Sequence, residues 1–219
     1  GFLIEDEIKH LSLALNPKHP FLFILGGAKF ETKMPLMKKF MKIADQIFVG
    51  GVLANDFFHD QGIEIGKSYV DKYNFKLTYL LKNGKIILPT DVIVKNEDDK
   101  KTIVKKVNEL LPSDAIVDVG PQSVKDLAMV VKKAKLIVWN GPLGFYEGGY
   151  DKATIALLKM ISESKATSII GGGDTAVIVE KIGIEKKLSF VSTGGGATLD
   201  YLADGKLPAI DAILKCKKR

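Results

Sequence analysis

The chain reads as an α/β protein, a doubly wound three-layer sandwich around a mainly parallel, Rossmann-like sheet of about six strands. Three observations predict it. Short apolar runs alternate with stretches of helical period from end to end, which calls for parallel strands joined by right-handed crossovers. Glycine turns close several of those runs: Leu25-Gly26-Gly27, Val49-Gly50-Gly51, Asn140-Gly141-Pro142-Leu143-Gly144, Ile170-Gly171-Gly172-Gly173 and Thr193-Gly194-Gly195-Gly196. Hydrophobic residues make up 46% of the 219 positions, enough for a large core. In a parallel sheet such turns share one rim, at the carboxyl ends of the strands, where ligands of open α/β sheets bind.

Each element has its own signal. Gly1–Asn16 forms a leading helix, with Leu3, Ile4, Ile8, Leu11, Leu13 and Leu15 apolar and Asn16-Pro17 as its stop. The α/β domain then spans residues 17–219. Its strands are Phe21–Leu25, Gln46–Val49, one or two within Lys85–Val94, Ala115–Val119, Leu136–Trp139, Thr167–Ile170 and Leu188–Val191. Helices are expected at Lys33–Ala44, Leu53–Gln61, Tyr73–Leu81, Pro121–Lys133, Lys152–Ser164, Asp174–Ile182, Ala197–Ala203 and Ala209–Leu214. Lys100–Leu111 reads as a lysine-rich helix with Ile103, Val104, Val107, Leu110 and Leu111 inward. Pro35 is tolerable only in its helix's first turn, which puts Lys33 at or next to that helix's N-terminus and Lys29 in the turn before it.

Composition narrows the function. Lys+Arg 32 against Asp+Glu 26 gives a net charge of +6, which suits an anionic ligand. The lysines are scattered in pairs such as Lys38-Lys39 and Lys132-Lys133, as on solvated helix faces, and the closing Lys215-Cys216-Lys217-Lys218-Arg219 carries no interleaved aromatics, so no nucleic-acid partner is expected. Cys216 is the one cysteine, which excludes an internal disulfide framework and a cysteine metal cluster. His10, His19 and His59 lack metal-ligand spacing. No stretch reaches the length of a membrane span, and acids occupy the N-terminus where a signal peptide needs bases; no membrane partner and a cytoplasmic location are expected. Residue 1 is glycine, so the chain reads as processed or cut from a longer one.

The chemistry gathers on the glycine turns. Gly171-Gly172-Gly173-Asp174-Thr175 joins a strand to a helix whose first amides and dipole offer an anion site; Asp174 reads there either as an N-cap or as a magnesium ligand. Lys29 and Lys33 straddle a turn into a helix and could hold a polyphosphate. Cations disfavour a helix N-terminus, so something should offset that cost, as a bound anion would. Glu147 reads as an acceptor for ribose hydroxyls or as a surface acid, and Trp139 as core. Neither a strict Walker A motif nor a convincing dinucleotide fingerprint is present.

Gly26-Gly27-Ala28-Lys29 with Lys33, Leu88-Pro89-Thr90-Asp91, Asp118-Val119-Gly120-Pro121, Trp139-Asn140-Gly141-Pro142-Leu143-Gly144 with Glu147, Gly171-Gly172-Gly173-Asp174-Thr175 and Ser192-Thr193-Gly194-Gly195-Gly196-Ala197 resemble, in that order, the carboxyl-terminal, nucleotide-binding half of phosphoglycerate kinase. The resemblance implies phosphoryl transfer between 1,3-bisphosphoglycerate and Mg·ADP, giving ATP. It implies catalytic roles for Lys29, Gly194 and Gly195. Nucleotide would be held by Gly26, Gly27, Ala28, Lys33, Gly50, Gly51, Asn140, Pro142, Gly144, Glu147, Gly172, Gly173, Asp174 and Thr175, and Mg2+ by Asp174. Lys29 would stabilise the migrating phosphoryl group.

Two residues depart from the family pattern. Val52 stands where a third glycine is usual, in the implied adenine pocket, and Phe30 where a smaller β-branched residue is usual. The family's amino-terminal, phosphoglycerate-binding half has no counterpart here: Arg219 is the only arginine. Gly1–Asn16 resembles the helix joining the two halves. The chain alone is therefore expected to bind nucleotide with little or no turnover. The rival readings are a stand-alone nucleotide-binding or interaction module without catalysis, and a Rossmann-type NAD protein.

Overall fold

A computed structural model describes residues 2–72, 76–96 and 101–206. The expected helix at Ala209–Leu214, the start of the one at Tyr73, and Cys216 with the basic tail lie outside the described residues.

Strands that are apolar on both faces form the centre. β1 (Phe21–Leu25) and β7 (Leu136–Asn140) are buried along their whole length, as parallel strands covered by helices must be. Around them run β2 (Gln46–Val49), β3 (Ile86–Ile87), β8 (Thr167–Gly171) and β9 (Phe190–Val191), in the order β3-β2-β1-β7-β8-β9 with every pairing parallel. Successive residues alternate between two cores. Phe21, Phe23 and Leu25 join one, with the helices α1 (Phe2–Ser12), α2 (Phe30–Ile43), α3 (Gly51–Asp60) and α8 (Gly196–Asp204). Leu22 and Ile24 join the other, with α5 (Pro121–Lys133), α6 (Lys152–Ser162) and α7 (Gly173–Lys181). This is the expected three-layer, Rossmann-like sandwich. Strand order reverses direction between β1 and β7, so a crevice opens there at the carboxyl ends.

A second sheet corrects the expected single one. β4 (Asp91–Asn96) lies between β5 (Thr102–Lys106) and β6 (Asp114–Val119), all antiparallel. The lysine-rich helix expected at Lys100–Leu111 is instead β5 followed by a short 3-10 turn, Val107–Glu109. Thr102-Ile103-Val104 is a β-branched run, favoured in a strand. Ile103 and Val104, expected inward, are exposed on this edge strand, and Leu111 is exposed too. A bulge opposite Ile93 and Val94 leaves Val117 outside the ladder, and its carbonyl accepts the Phe145 amide at 2.9 Å. The small sheet thereby docks against the loop after β7. α4 (Thr78–Leu81) is a single turn between α3 and β3.

α2 also differs from expectation. It begins at Phe30 with Lys29 as N-cap, so Lys33 lies one turn inside rather than at its N-terminus, and Pro35 lies beyond the first turn. Pro35 is exposed, and with no N–H it removes one hydrogen bond from the helix interior. Among the described residues no helix is long and apolar enough to cross a membrane.

Candidate functional site

Three glycine turns interlock at the crevice. The Gly26 amide donates to the Asn140 carbonyl at 2.8 Å, the Gly27 amide to the Pro142 carbonyl at 2.7 Å, and the Gly51 amide to the Leu143 carbonyl at 3.0 Å. A Cβ on Gly26 would come within 2.3 Å of the Pro142 carbonyl oxygen, so only glycine lets these strands' turns meet. Gly26 and Gly50 are buried in this packing and stand behind the crevice wall rather than in it.

The crevice widens into a cleft of about 560 Å³. Of the expected site residues, Gly27, Ala28, Lys29, Gly51, Pro142, Gly144, Glu147 and Asp174 line it. Val52 lines it as well, with Ala54 and Phe58 of α3, and Val92 and Val119 of the small sheet form an opposing apolar wall. The cleft is thus mostly apolar, with one carboxyl, Asp118, buried in its wall and Lys29, Glu147 and Asp174 exposed at its mouth, the form of a site for a flat apolar group carrying a charged appendage.

At the charged end, Gly172 is the N-cap of α7, and no side chain caps that helix. Asp174 sits in the first turn without capping it, which removes the N-cap reading; its Oδ1 accepts from the Tyr146 hydroxyl at 3.2 Å. Two polar groups beneath are buried without partners: Asn140 Nδ2 and Thr175 Oγ1. Both border one spot, since a Cβ on Gly172 would lie 3.4 Å from Asn140 Nδ2 and 3.6 Å from Thr175 Oγ1. Gly172 has φ +95°, and Gly173 faces open space. An uncapped helix start with two orphaned groups that can donate has the chemistry to accept an anion.

Lys33 is buried beneath this end, and its Nζ donates to the Gly26 carbonyl at 2.5 Å. Burial pulls its pKa down to about 8, opposed by the charges of Asp71 and Asp174. Lys29 is exposed at the cleft mouth. Where a bound anion was expected to offset the lysines at the start of α2, a carboxylate of the chain itself stands instead. Asp71 accepts from the Lys29 amide at 3.2 Å and from the Phe30 amide.

Gly194 and Gly195 lie on the same rim but outside the cleft lining. Their loop is held by Glu7 of α1 through Ser192 and Thr193, and Thr198 beyond it packs against Gly171. α1 is anchored here a second time, by the ring of His10 stacked on Phe190 at 4.3 Å. Trp139 is fully buried core, its indole N–H donating to the Gly141 carbonyl.

Sequence reasoning missed Asp71, Tyr146 and a buried carboxyl, Asp118, in the cleft wall. Asp118 accepts from the Val119 and Ala153 amides, and burial pushes it up to about 7. Its Oδ1 would lie 2.4 Å from a Cβ on Gly144, so the turn over it requires glycine. Asp118 carried a signal, as part of Asp118-Val119-Gly120-Pro121; Asp71 and Tyr146 carried none.

The sequence model of the family described as "Phosphoglycerate kinase" matches residues 1–206. The chain belongs to the phosphoglycerate kinase family. It is 41% identical over 220 residues to the phosphoglycerate kinase of Lactiplantibacillus plantarum, covering 97% of this chain and 55% of that protein. With that of Solibacter usitatus it shares 38% identity, at 97% and 56% coverage. Among solved structures, phosphoglycerate kinase from Coxiella burnetii superposes with a TM-score of 0.87 at 38% identity, over 95% of this chain and 56% of that one. The enzyme from Pyrococcus horikoshii gives 0.84 at 28% identity. The chain thus spans about half the length of the relatives it matches, and the family it joins is one of phosphotransferases.

Proposed function

We propose that this chain is the nucleotide-binding domain of a phosphoglycerate kinase, holding Mg·ADP or Mg·ATP while an amino-terminal domain holds the phosphoglycerate. The observation that carries the reading is the uncapped start of α7, with Asn140 Nδ2 and Thr175 Oγ1 buried and unpartnered beside the cleft. Phosphate oxygens would satisfy both groups and the free amides of the helix. The apolar depth by Val52 takes the base, and Glu147 accepts from ribose hydroxyls. Lys33 faces the phosphates as a cation, and Lys29, with Gly194 and Gly195 across the rim, stabilises charge on the migrating group.

The residues also fit magnesium. Among the described residues no group of three or more His, Cys, Asp or Glu side chains could hold a metal, so a cation here would share Asp174 with phosphate oxygens and water, the usual arrangement for magnesium with a nucleotide. When bound it neutralises phosphate charge. Phosphoryl transfer is mostly positioning and charge stabilisation, supplied from both substrates' sides. The chain alone therefore binds nucleotide with little or no turnover. The same reading puts it in glycolysis and in the cytoplasm.

The test is calorimetric titration of the chain with ADP, with and without Mg2+, beside Thr175→Val. Saturable, magnesium-sensitive binding, weakened about tenfold by the loss of one buried hydrogen-bonding group, supports the reading. No binding at millimolar nucleotide overturns it. Turnover that appears only on adding an amino-terminal half separates a kinase domain from a binding module without catalysis.

A further inference from the structure

Lys29 is the only non-glycine residue at positive φ among the described residues, at +65°. A side chain in that region costs of the order of 1 kcal/mol, so something nearby must hold it. Asp71 does, by accepting from the Lys29 and Phe30 amides at the start of α2. Its own segment is pinned from below. The Asp71 amide donates to Asp56 Oδ1 at 2.9 Å, and Asn55 Nδ2 donates to the Tyr69 carbonyl at 2.9 Å, both from α3. Ser68 in turn accepts the Ile116 amide at 2.8 Å, tying the segment to the small sheet. Asp71 also borders the cleft and acts on buried Lys33 as a counter-charge.

We propose that Asp71 is the positioning residue of Lys29 and Lys33: it fixes Lys29 in the left-handed turn at the cleft mouth and balances the buried Lys33 behind it. The proposal rests on the nucleotide reading for what the lysines grip, but not for the contact itself. Its effect is expected on phosphate affinity rather than on the nucleoside. It also explains why a chain-borne carboxylate stands where an anion was expected: the helix start of α2 is closed to ligand, and the phosphates are left to α7.

The test uses the full chain with Asp71→Ala and Asp71→Asn. Amide exchange at Lys29 and Phe30 is read by NMR without ligand, and ADP and adenosine are titrated separately. Asp71→Ala is expected to unprotect both amides and weaken ADP about tenfold with adenosine unchanged, the size of one lost charge-assisted support. Asp71→Asn, which keeps one acceptor, should fall between Asp71→Ala and the native chain. Amides that stay protected in Asp71→Ala overturn the proposal. So does an equal loss for ADP and adenosine, which would make Asp71 part of the cleft's general shape. If the unsubstituted chain binds no ADP, the nucleotide reading fails, while the exchange arm still decides whether Asp71 holds Lys29.

Discussion

Glu7 accepts the Thr193 amide at 2.8 Å across 186 residues of sequence, and its other carboxylate oxygen takes the Ser192 hydroxyl at 2.8 Å. Ser192 has one proton and gives it to Glu7, so Thr198, 2.6 Å away, donates to Ser192. A carboxylate on the leading helix thus organises both ends of the glycine turn that opens α8. Glu7→Ala should cost about 1–3 kcal/mol, the range for leaving charged hydrogen bonds unmade. Hydrogen exchange should rise in residues 192–198 while β1 and β7 stay protected. Unchanged exchange in that loop would count against the coupling.

On the proposed nucleotide reading, Lys33 would tie affinity to pH. Its pKa, lowered by burial to about 8, lies below the ordinary 10.5, so it loses its charge in the range where most lysines keep it. A bound phosphate favours the charged form, so binding above that pKa must take up a proton. ADP affinity should fall as pH rises from 7 to 9. Lys33→Met, which fills the same space without charge, should flatten the profile; a slope that survives it would assign the dependence to another group. Lys33→Ala is the poorer probe, because it also removes a buried stem and the donor to Gly26.

Asp56 ties stability to pH with the opposite chemistry. Its carboxyl is buried, one oxygen has no partner, and burial raises its pKa to about 7, with the charge of Asp71 adding to the effect. Unfolded, it titrates near 3.8. Between those values the folded chain holds a proton the unfolded chain has lost, so this contribution is full below about pH 4 and is lost as pH rises to about 7. Asp56→Asn keeps Oδ1 for the Asp71 amide and removes the buried charge. It should stabilise the chain at pH 8 by about 1–3 kcal/mol and have much less effect at pH 5, read from urea midpoints.

The pattern of what was legible follows from where each signal lies. β1 and β7 were readable because burial on both faces makes them continuously apolar, and the glycine turns because tight crossings admit no side chain. β5 was not: Ile103, Val107, Leu110 and Leu111 repeat at helical spacing although the first is exposed on an edge strand, the second opens a short 3-10 turn and the last two follow that turn. The lysines beside the glycine turns announced a charged site. The carboxylate that serves them did not, since Asp71 reaches Lys29 across 42 residues from a segment without periodicity. Local pattern reveals elements and turns; it cannot reveal a side chain delivered from another loop.

The glycines of the site divide into two kinds that substitution should separate. Gly26 is enclosed by backbone, and alanine there would put Cβ 2.3 Å from the Pro142 oxygen and 2.6 Å from the Gly141 oxygen. Neither is the end of a flexible side chain, so the β1 and β7 turns would have to part. Gly26→Ala should destabilise the fold by about 3 kcal/mol or more, as overpacking against backbone does. Gly173, the first residue of α7, meets nothing within 4 Å and has no positive φ. Alanine there should leave the melting temperature unchanged or slightly raised, because it is the better helix former. Its methyl group would nevertheless stand at the uncapped helix start where a phosphate is proposed to sit. Gly173→Ala should therefore lower ADP affinity about tenfold or more without loss of stability. A variant that binds ADP as tightly as the native chain would move the phosphates away from α7.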